Sequence, residues 1–289
     1  MLFLVDRDGG CFLMNPSSGK ATPLQINLDY LELRYEWDIR KVVVSEDLHI
    51  VAVLTPGKTN GKNVTVYARG PQGTTAMEWG PPMNNSHALD IAIFHGKLYV
   101  LTREIYRLAV LHNAYGLPEL HVLEVGNTSI RSVQCILSTH SRDYDATHFV
   151  FYLVASGDRL LTVGRILDPN PIDTPMPSRC FKVFQAADLS SGHGWWSKVD
   201  TLMGHALFLS RGCSRSLAVG GQPVSGGAQE DYMYFMSELG GVTFVVVDLL
   251  NSCVYNMRNQ TVARLPLETQ ALSRQWGRGF PTWLFPAQV

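Results

Sequence analysis

The chain has 289 residues, of which 46% are hydrophobic and 17% are charged, and its formal net charge is -1. A chain of this length can bury a substantial core, and all-β sandwiches and closed rings reach this size as one domain. Binding to nucleic acid or to an anionic membrane surface needs a basic excess, so the near-neutral charge argues against both kinds of partner.

The cysteines and the apolar segments indicate the compartment. The cysteines lie far apart and form no C-x-x-C pair: Cys11, Cys135, Cys180, Cys213 and Cys253. Their odd number and spacing predict free, buried thiols rather than a zinc site or a disulfide framework. The apolar start before Asp6 is too short for a signal-peptide core, and the run 242–250 is too short to cross a bilayer. We therefore expect a cytoplasmic or nuclear protein outside the membrane, in which the sequons at Asn63, Asn84, Asn127 and Asn259 have no role.

Apolar, β-prone runs follow directly after a turn residue at five places along the chain: Gly10, Asp47, Gly96, Gly157 and Asp231. A propeller blade of four strands needs roughly 40–50 residues. The first two intervals between these turn residues fit that repeat, and the last two fit it if their loops are longer. The pattern predicts an all-β fold: a β-propeller-like ring of about five to seven mostly antiparallel blades, formed as one domain by residues 1–289.

Two long excursions interrupt the strand pattern. The segment Asp168–Pro177 is dense in proline, which has no backbone donor for a sheet, and Ser138–His148 is polar throughout. Both are predicted to be exposed loops. Near the C-terminus, Glu268–Trp276 could form two helical turns, and the apolar residues Trp283–Phe285 are expected to pack against the fold.

The strand segments also carry a resemblance to a known family. They include MNPSSGKATPL from Met14, DIAIFHGKLYVLT from Asp90, FYLVASGDRLLTVGR from Phe151, GHALFLSRGCSRSLAV from Gly204 and VVVDLLNSCVYNM from Val245. In this order they resemble the plant F-box-associated β-propeller family known as domain of unknown function 295. The resemblance implies a propeller that serves as the substrate receptor of a ubiquitin ligase.

Many members of that family begin with an F-box helix pair that docks on a Skp adaptor. Here no such segment precedes Gly10, and the chain opens inside the propeller repeat. We therefore expect no Skp binding by the chain as given, and a ring that could lack its first strand or blade.

Several short motifs contain residue types that are used in functional sites. DRDGG, Asp6–Gly10, begins like a calcium loop but is followed by an apolar strand, which favours a hairpin turn. His140, Asp143, Asp145 and His148 have metal-ligand chemistry, but they lie in a polar loop without rigid support.

RGCSRS, Arg211–Ser216, could be a phosphorylation site or an anion nest, and the resemblance favours a turn and strand. On a strand, Trp195 and Trp196 face opposite ways, so one is expected in the core and the other could anchor a partner.

Catalytic signatures such as G-x-S-x-G, H-E-x-x-H and the P-loop do not occur. The sequence therefore assigns no catalytic, cofactor-binding or metal residue and predicts no cofactor. The favoured function is a non-catalytic scaffold that binds a protein partner through loops on the ring, by residues that the sequence does not identify. The alternative is a propeller enzyme or a sugar-binding module with its site in the central channel. Two or more carboxylates or histidines that converge on the channel would favour the alternative.

Overall fold

The structure, a computed structural model, describes residues 2–5, 10–14, 19–27, 39–55, 61–71, 73–82, 86–104, 117–126, 129–136, 149–166, 181–190, 193–220, 228–239 and 246–264. Strands β1 to β20 are the regular elements of these segments. In this part of the chain no helix is long and apolar enough to cross a membrane. The expected helix 268–276, the apolar tail 283–285 and the excursions 138–148 and 168–177 lie outside the described residues.

The strands form five sheets, which we number in chain order. Sheet 1 contains β1 (Leu2–Val5), β2 (Gly10–Met14) and β3 (Ala21–Asn27). Sheet 2 contains β4 (Lys41–Val44), β5 (Ile50–Leu54), β6 (Val64–Gly70) and β7 (Gly73–Trp79). Sheet 3 contains β8 (Ser86–Phe94), β9 (Lys97–Glu104), β10 (Glu119–Val125) and β11 (Ile130–Ile136).

The last two sheets follow in the same way. Sheet 4 contains β12 (Phe149–Ser156), β13 (Arg159–Ile166), β14 (Phe181–Ala187) and β15 (Trp195–Lys198). Sheet 5 contains β16 (His205–Leu209), β17 (Arg215–Ala218), β18 (Tyr232–Leu239), β19 (Val246–Asn256) and β20 (Thr261–Arg264). Sheets of about four strands in succession are the blades of a β-propeller, so the predicted fold class is confirmed.

The pairing within the blades agrees with the predicted pattern. Sheets 1 to 4 are antiparallel throughout, and each has an anchor strand (β2, β5, β9 or β13) directly after the predicted turn. In sheet 5 the anchor β18 pairs with β16 in parallel, through Leu207 and Met233, and β17 returns along the other side of β16. This single parallel pair among the described strands departs from the regular blade.

Four apolar clusters lie between successive sheets and hold the blades together. Tyr67 packs between sheets 1 and 2, and Trp79 packs between sheets 2 and 3. Trp196 packs between sheets 3 and 4, and Phe235 packs between sheets 4 and 5. Val, Ile, Leu and aromatic side chains dominate these clusters because they fill a pleated surface well. The sheets therefore stack face to face in chain order.

The channel side of the propeller is formed by one edge strand from each of sheets 2 to 5. β4 contacts β8, β8 contacts β12, and β12 contacts β17. Each of these four strands lies at an edge of its own sheet. We call β4, β8, β12 and β17 the inner strands.

The two ends of the inner strands differ in their connections. β4, β8 and β12 end at short turns: 45–49, 95–96 and 157–158. Gly96 and Gly157 adopt φ values of 72° and 60°, which glycine tolerates best. In sheets 2 to 4 the long connections 55–63, 105–118, 137–148 and 167–180 join strand ends at the opposite side, where β4, β8 and β12 begin. In sheet 5 the connection 219–231, also long, joins β17 to β18 at the first side, where His205 lies beside Gly157. We call the first side the turn face and the second side the loop face.

Candidate functional site

The inner strands carry a buried ion pair near the loop face. The Nζ atom of Lys41 on β4 lies 2.7 Å from Oδ1 of Asp90 on β8, and the two side chains are only 4% and 6% exposed. The backbone N–H of Ile91 donates to Oδ1 at 2.8 Å, and that of Leu153 on β12 donates to Oδ2 at 2.7 Å. Both carboxylate oxygens of Asp90 are therefore engaged, and the pair links sheets 2, 3 and 4.

Beside this pair, His87, Arg40 and Arg103 form a cluster that we call the basic mouth. β8 has a bulge between Ala88 and Asp90, which brings His87 and Asp90 to the same face of the strand. Arg103 on β9 lies directly opposite His87 in the register, and Arg40 directly precedes Lys41. The guanidinium carbon of Arg103 lies 5.8 Å from the ring centroid of Phe151 in sheet 4. The cluster thus lies where three blades meet at the loop face.

The environment of His87 is unusual for an imidazole. Its Nδ1 atom is enclosed and has no hydrogen-bond partner among the described residues. Burial lowers the pKa of His87, and the charges of Arg40 and Arg103 lower it further. His87 is therefore neutral at neutral pH, because burial and the charges of two arginines both oppose its protonation.

The inner strand of sheet 5 is β17, which begins within the segment RGCSRS, Arg211–Ser216. The Ser210 hydroxyl donates to the Cys213 carbonyl at 2.7 Å and accepts from the Cys213 N–H at 3.0 Å. Ser214 donates to the Ser210 carbonyl at 3.0 Å, and Ser216 on β17 lies 2.8 Å from Ser156 on β12, Oγ to Oγ. The structure places Arg211–Ser216 as a turn and a strand, as predicted.

A second cluster lies away from the channel, between sheets 2 and 3. Nδ1 of the buried His121 lies 3.2 Å from the Ser132 hydroxyl, and its Nε2 lies 3.4 Å from Oε2 of Glu119. The residue types are those of a hydrolase triad, but the ring is 2% exposed and packs at 5.8 Å against Trp79. Burial lowers the pKa of His121, which keeps it neutral. With both nitrogens paired, His121 is a satisfied core residue.

The two tryptophans behave as the strand periodicity predicts. Trp196 is buried, and its indole Nε1 donates to the carbonyl of Pro118 at 2.7 Å, which ties sheet 4 to sheet 3. Trp195 points the other way and is 53% exposed. Trp195 is thus the ring available to a partner on the outermost strand of sheet 4.

The two predicted metal-type motifs, DRDGG and the His/Asp motif at 140–148, lie wholly or largely outside the described residues. β1 and β2 pair antiparallel on either side of DRDGG, which agrees with the hairpin interpretation, although residues 6–9 lie outside the described part. His140, Asp143, Asp145 and His148 also lie outside it. Within the described residues no group of three or more His, Cys, Asp or Glu side chains is arranged to hold a metal ion. Among the described residues, Cys11, Cys135, Cys213 and Cys253 are thiols that form no disulfide.

One sequon has a structural role. Asn63 is 2% exposed, its amide donates to the Ala88 carbonyl at 3.1 Å, and its Oδ1 accepts from the Ala88 N–H at 3.3 Å. Asn63 therefore joins sheet 2 to sheet 3 and is not accessible for glycosylation.

Sequence reasoning missed the ion pair and the basic mouth. Asp90 stands inside the apolar run LDIAIF, and a charged residue inside an apolar strand was a signal that it has a buried partner. Lys41, Arg40 and Arg103 gave no such signal, because single cations beside strands are ordinary surface residues. Their convergence depends on which blades are neighbours.

The comparison with protein families agrees with the propeller fold. A solved structure of an alpha-L-arabinofuranosidase from Clostridium thermocellum ATCC 27405 is similar at 12% sequence identity and a TM-score of 0.38, over 68% of each chain. The comparison with curated proteins gave no match. The model of the KIB1-4 beta-propeller family matches residues 1–256. With five blade-like sheets and a family match over most of its length, the chain belongs to the KIB1-4 beta-propeller family.

Proposed function

We propose that the protein is a non-catalytic interaction propeller that binds a protein partner at its loop face. The proposal follows the resemblance of the sequence to the substrate-recognition domain of plant F-box proteins. Its main structural support is an asymmetry of sheets 2 to 4, in which four long connections leave from the loop face and the inner strands end at short turns on the other face. Variable loops on a rigid scaffold are the usual carriers of recognition.

The two excursions singled out in the sequence belong to this face. Segment 137–148 joins the end of β11 to the start of β12, and segment 167–180 joins the end of β13 to the start of β14. Phe149 pairs with Ile166, and Arg165 pairs with Phe181, so both segments are attached at the same level of the ring. A partner could therefore contact both segments at once.

The channel enzyme is the second candidate, and the inner strands weigh against it. Among their described residues, the carboxylate near the loop face is Asp90, and it is held by Lys41 and two backbone amides. His87 lies on the same strand, where burial and the charges of Arg40 and Arg103 lower its pKa. General acid–base chemistry needs an acid or base group within hydrogen-bond reach of a substrate.

Affinity capture with matched variants tests the proposal. The tagged chain is used to capture partners from extracts of its source tissue, beside a variant whose residues 168–177 are replaced by a Gly-Ser linker of equal length. The control replaces residues 126–129, a short connection on the turn face. We expect a stoichiometric partner that the loop variant loses and the control retains.

Other outcomes of the same capture have definite meanings. A partner retained equally by both variants would contradict binding through this loop. A bound metabolite without a protein partner would favour the channel alternative. Skp and cullin in the captured material would show a ligase assembly, contrary to our expectation for the chain as given.

A further inference from the structure

We infer that the cavity between sheets 1 and 2 binds a short neutral acyl group, whose carbonyl oxygen accepts a hydrogen bond from the hydroxyl of Tyr67. The cavity has a volume of about 60 Å³ and lies at the turn-face end of sheet 2, beside the turn 45–49. It is therefore separate from the loop face, where we propose that a protein partner binds.

The register of sheet 2 brings the residues that line the cavity together in two rows. In the outer row Arg69 on β6 lies opposite Thr74 on β7, and in the next row Tyr67 lies opposite Val51 on β5. Side chains two residues apart on a strand share a face, so both rows face sheet 1. Leu24 of β3 packs against Tyr67 and Val51 from that sheet and lines the cavity as well. The cavity thus has a polar rim and apolar walls beneath it.

The hydroxyl of Tyr67 indicates what kind of group the cavity accepts. Tyr67 is only 4% exposed, and its hydroxyl has no hydrogen-bond partner among the described residues. Burial, together with the charges of Cys11 and Glu78, raises the pKa of Tyr67 to about 12, so the hydroxyl keeps its proton and remains a donor. Buried polar atoms are nearly always paired, so an acceptor oxygen on a ligand would satisfy this donor.

The size and polarity of the cavity limit that acceptor to a small neutral group. An engineered cavity of about 150 Å³ holds benzene, so a volume of about 60 Å³ suits roughly two or three non-hydrogen atoms. A carbonyl with its methyl group has this size, and the methyl group can contact Leu24 and Val51. A carboxylate between these apolar walls would lose its hydration, which is costly. The rest of the ligand can leave past the rim, because Arg69 is exposed and Thr74 is half-buried.

The test is a titration of the whole chain, labelled with carbon-13 at its leucine and valine methyl groups, with N-methylacetamide, followed by NMR. We expect the methyl resonances of Leu24 and Val51 to move and to reach saturation. Leu24→Ile and Val51→Ile identify these resonances. Methyl acetate distinguishes the two sources of an acyl group, since tighter binding of N-methylacetamide assigns an amide and tighter binding of methyl acetate assigns an ester. Sodium acetate at constant ionic strength should bind more weakly than either, and equal or tighter binding of acetate would contradict a neutral ligand.

Tyr67→Phe keeps the ring and removes the hydroxyl. It should weaken binding of N-methylacetamide about threefold to tenfold, because one hydrogen bond is lost. It should leave the urea midpoint of unfolding unchanged or raise it, because the hydroxyl has no partner in the described part of the chain. Tyr99→Phe is the matched control, since Tyr99 is 6% exposed on β9, away from the cavity, and should leave binding unchanged.

Three results would overturn the inference. The first is a set of methyl resonances that does not saturate. The second is binding that Tyr67→Phe leaves unchanged, or that Tyr99→Phe weakens equally. The third is a clear loss of stability in Tyr67→Phe, which would show that the hydroxyl is already paired within the protein.

Discussion

At the scale of single residues, the Lys41–Asp90 pair gives the sharpest prediction about stability. Lys41→Met leaves the Asp90 carboxylate buried without its cation, and breaking such a pair typically costs about 3–5 kcal/mol. The comparable surface change is Lys198→Met, because Lys198 and Asp200 are 65% and 85% exposed and lie 3.2 Å apart. It should cost about 0–1 kcal/mol. Urea unfolding measures both, and equal losses would contradict the buried position of Lys41.

The buried histidines predict how stability depends on pH. Burial lowers the pKa of His121 and of His87 below the ordinary value of 6.5 in the folded chain. The unfolded chain then binds protons that the fold excludes, so the free energy of unfolding is highest above that value and falls as the pH decreases below it. Urea unfolding at several pH values below neutrality should show this decline, and His121→Gln should reduce it. A wild-type stability that stays flat below about pH 6.5 would contradict the neutral, buried state of both rings.

At the scale of the strands, Trp195 and Trp196 form an internal control on β15. Trp196→Ala removes a buried ring and its hydrogen bond to Pro118, and should cost about 3–5 kcal/mol through the cavity left behind. Trp195→Ala removes a ring that is 53% exposed and should change stability by about 0.5 kcal/mol or less. Thermal and urea unfolding distinguish the two variants. The reverse order of effects would show that β15 presents its opposite face to the core.

The contact between sheets 3 and 4 at their outer edge depends on a glycine. The N–H of Gly194 donates to the Cys135 carbonyl of sheet 3 at 2.9 Å. A Cβ at Gly194 would lie 3.1 Å from that carbonyl oxygen and 2.7 Å from the carbonyl oxygen of Ala187 in its own sheet. Gly194→Ala should therefore destabilise the fold by about 1–3 kcal/mol. Gly220→Ala is the control, because a Cβ there meets nothing within 4 Å. A tolerated alanine at 194 would mean that the backbone at 194 does not approach Ala187 and Cys135 this closely.

The sequence predicted the anchor strands because each combines a turn residue with an apolar run. Asp231 illustrates this: it adopts a φ of 64° and accepts hydrogen bonds from the Leu202 N–H at 2.6 Å and the Thr201 hydroxyl at 2.8 Å. Strands with weaker patterns were missed, such as β11, whose first five residues are half-buried or exposed and whose last two alone are buried. The short apolar start that forms β1 has no recognisable period, so the pattern does not predict it as a strand. The parallel pairing of β16 with β18 could not be predicted, because it depends on how β17 folds back.

At the scale of the whole molecule, the arrangement of the blades produces the candidate sites. Lys41, Asp90 and Leu153 are far apart in the sequence and meet because β4, β8 and β12 are neighbouring inner strands. The basic mouth arises in the same way, which is why composition and local motifs gave no indication of it. The loop face gathers connections from several sheets at one side of the ring. Recognition at this face is the central claim of our account.

Hydrogen–deuterium exchange on the complex with a captured partner tests that claim most directly. Peptides that contain the loop-face ends of the inner strands, such as His87 and Phe149, and those from segments 137–148 and 167–180 should gain protection when the partner binds. Peptides from the turn face, at 45–49, 95–96 and 157–158, should exchange as in the free chain. Protection that is confined to the turn face, or spread equally over both faces, would contradict binding at the loop face.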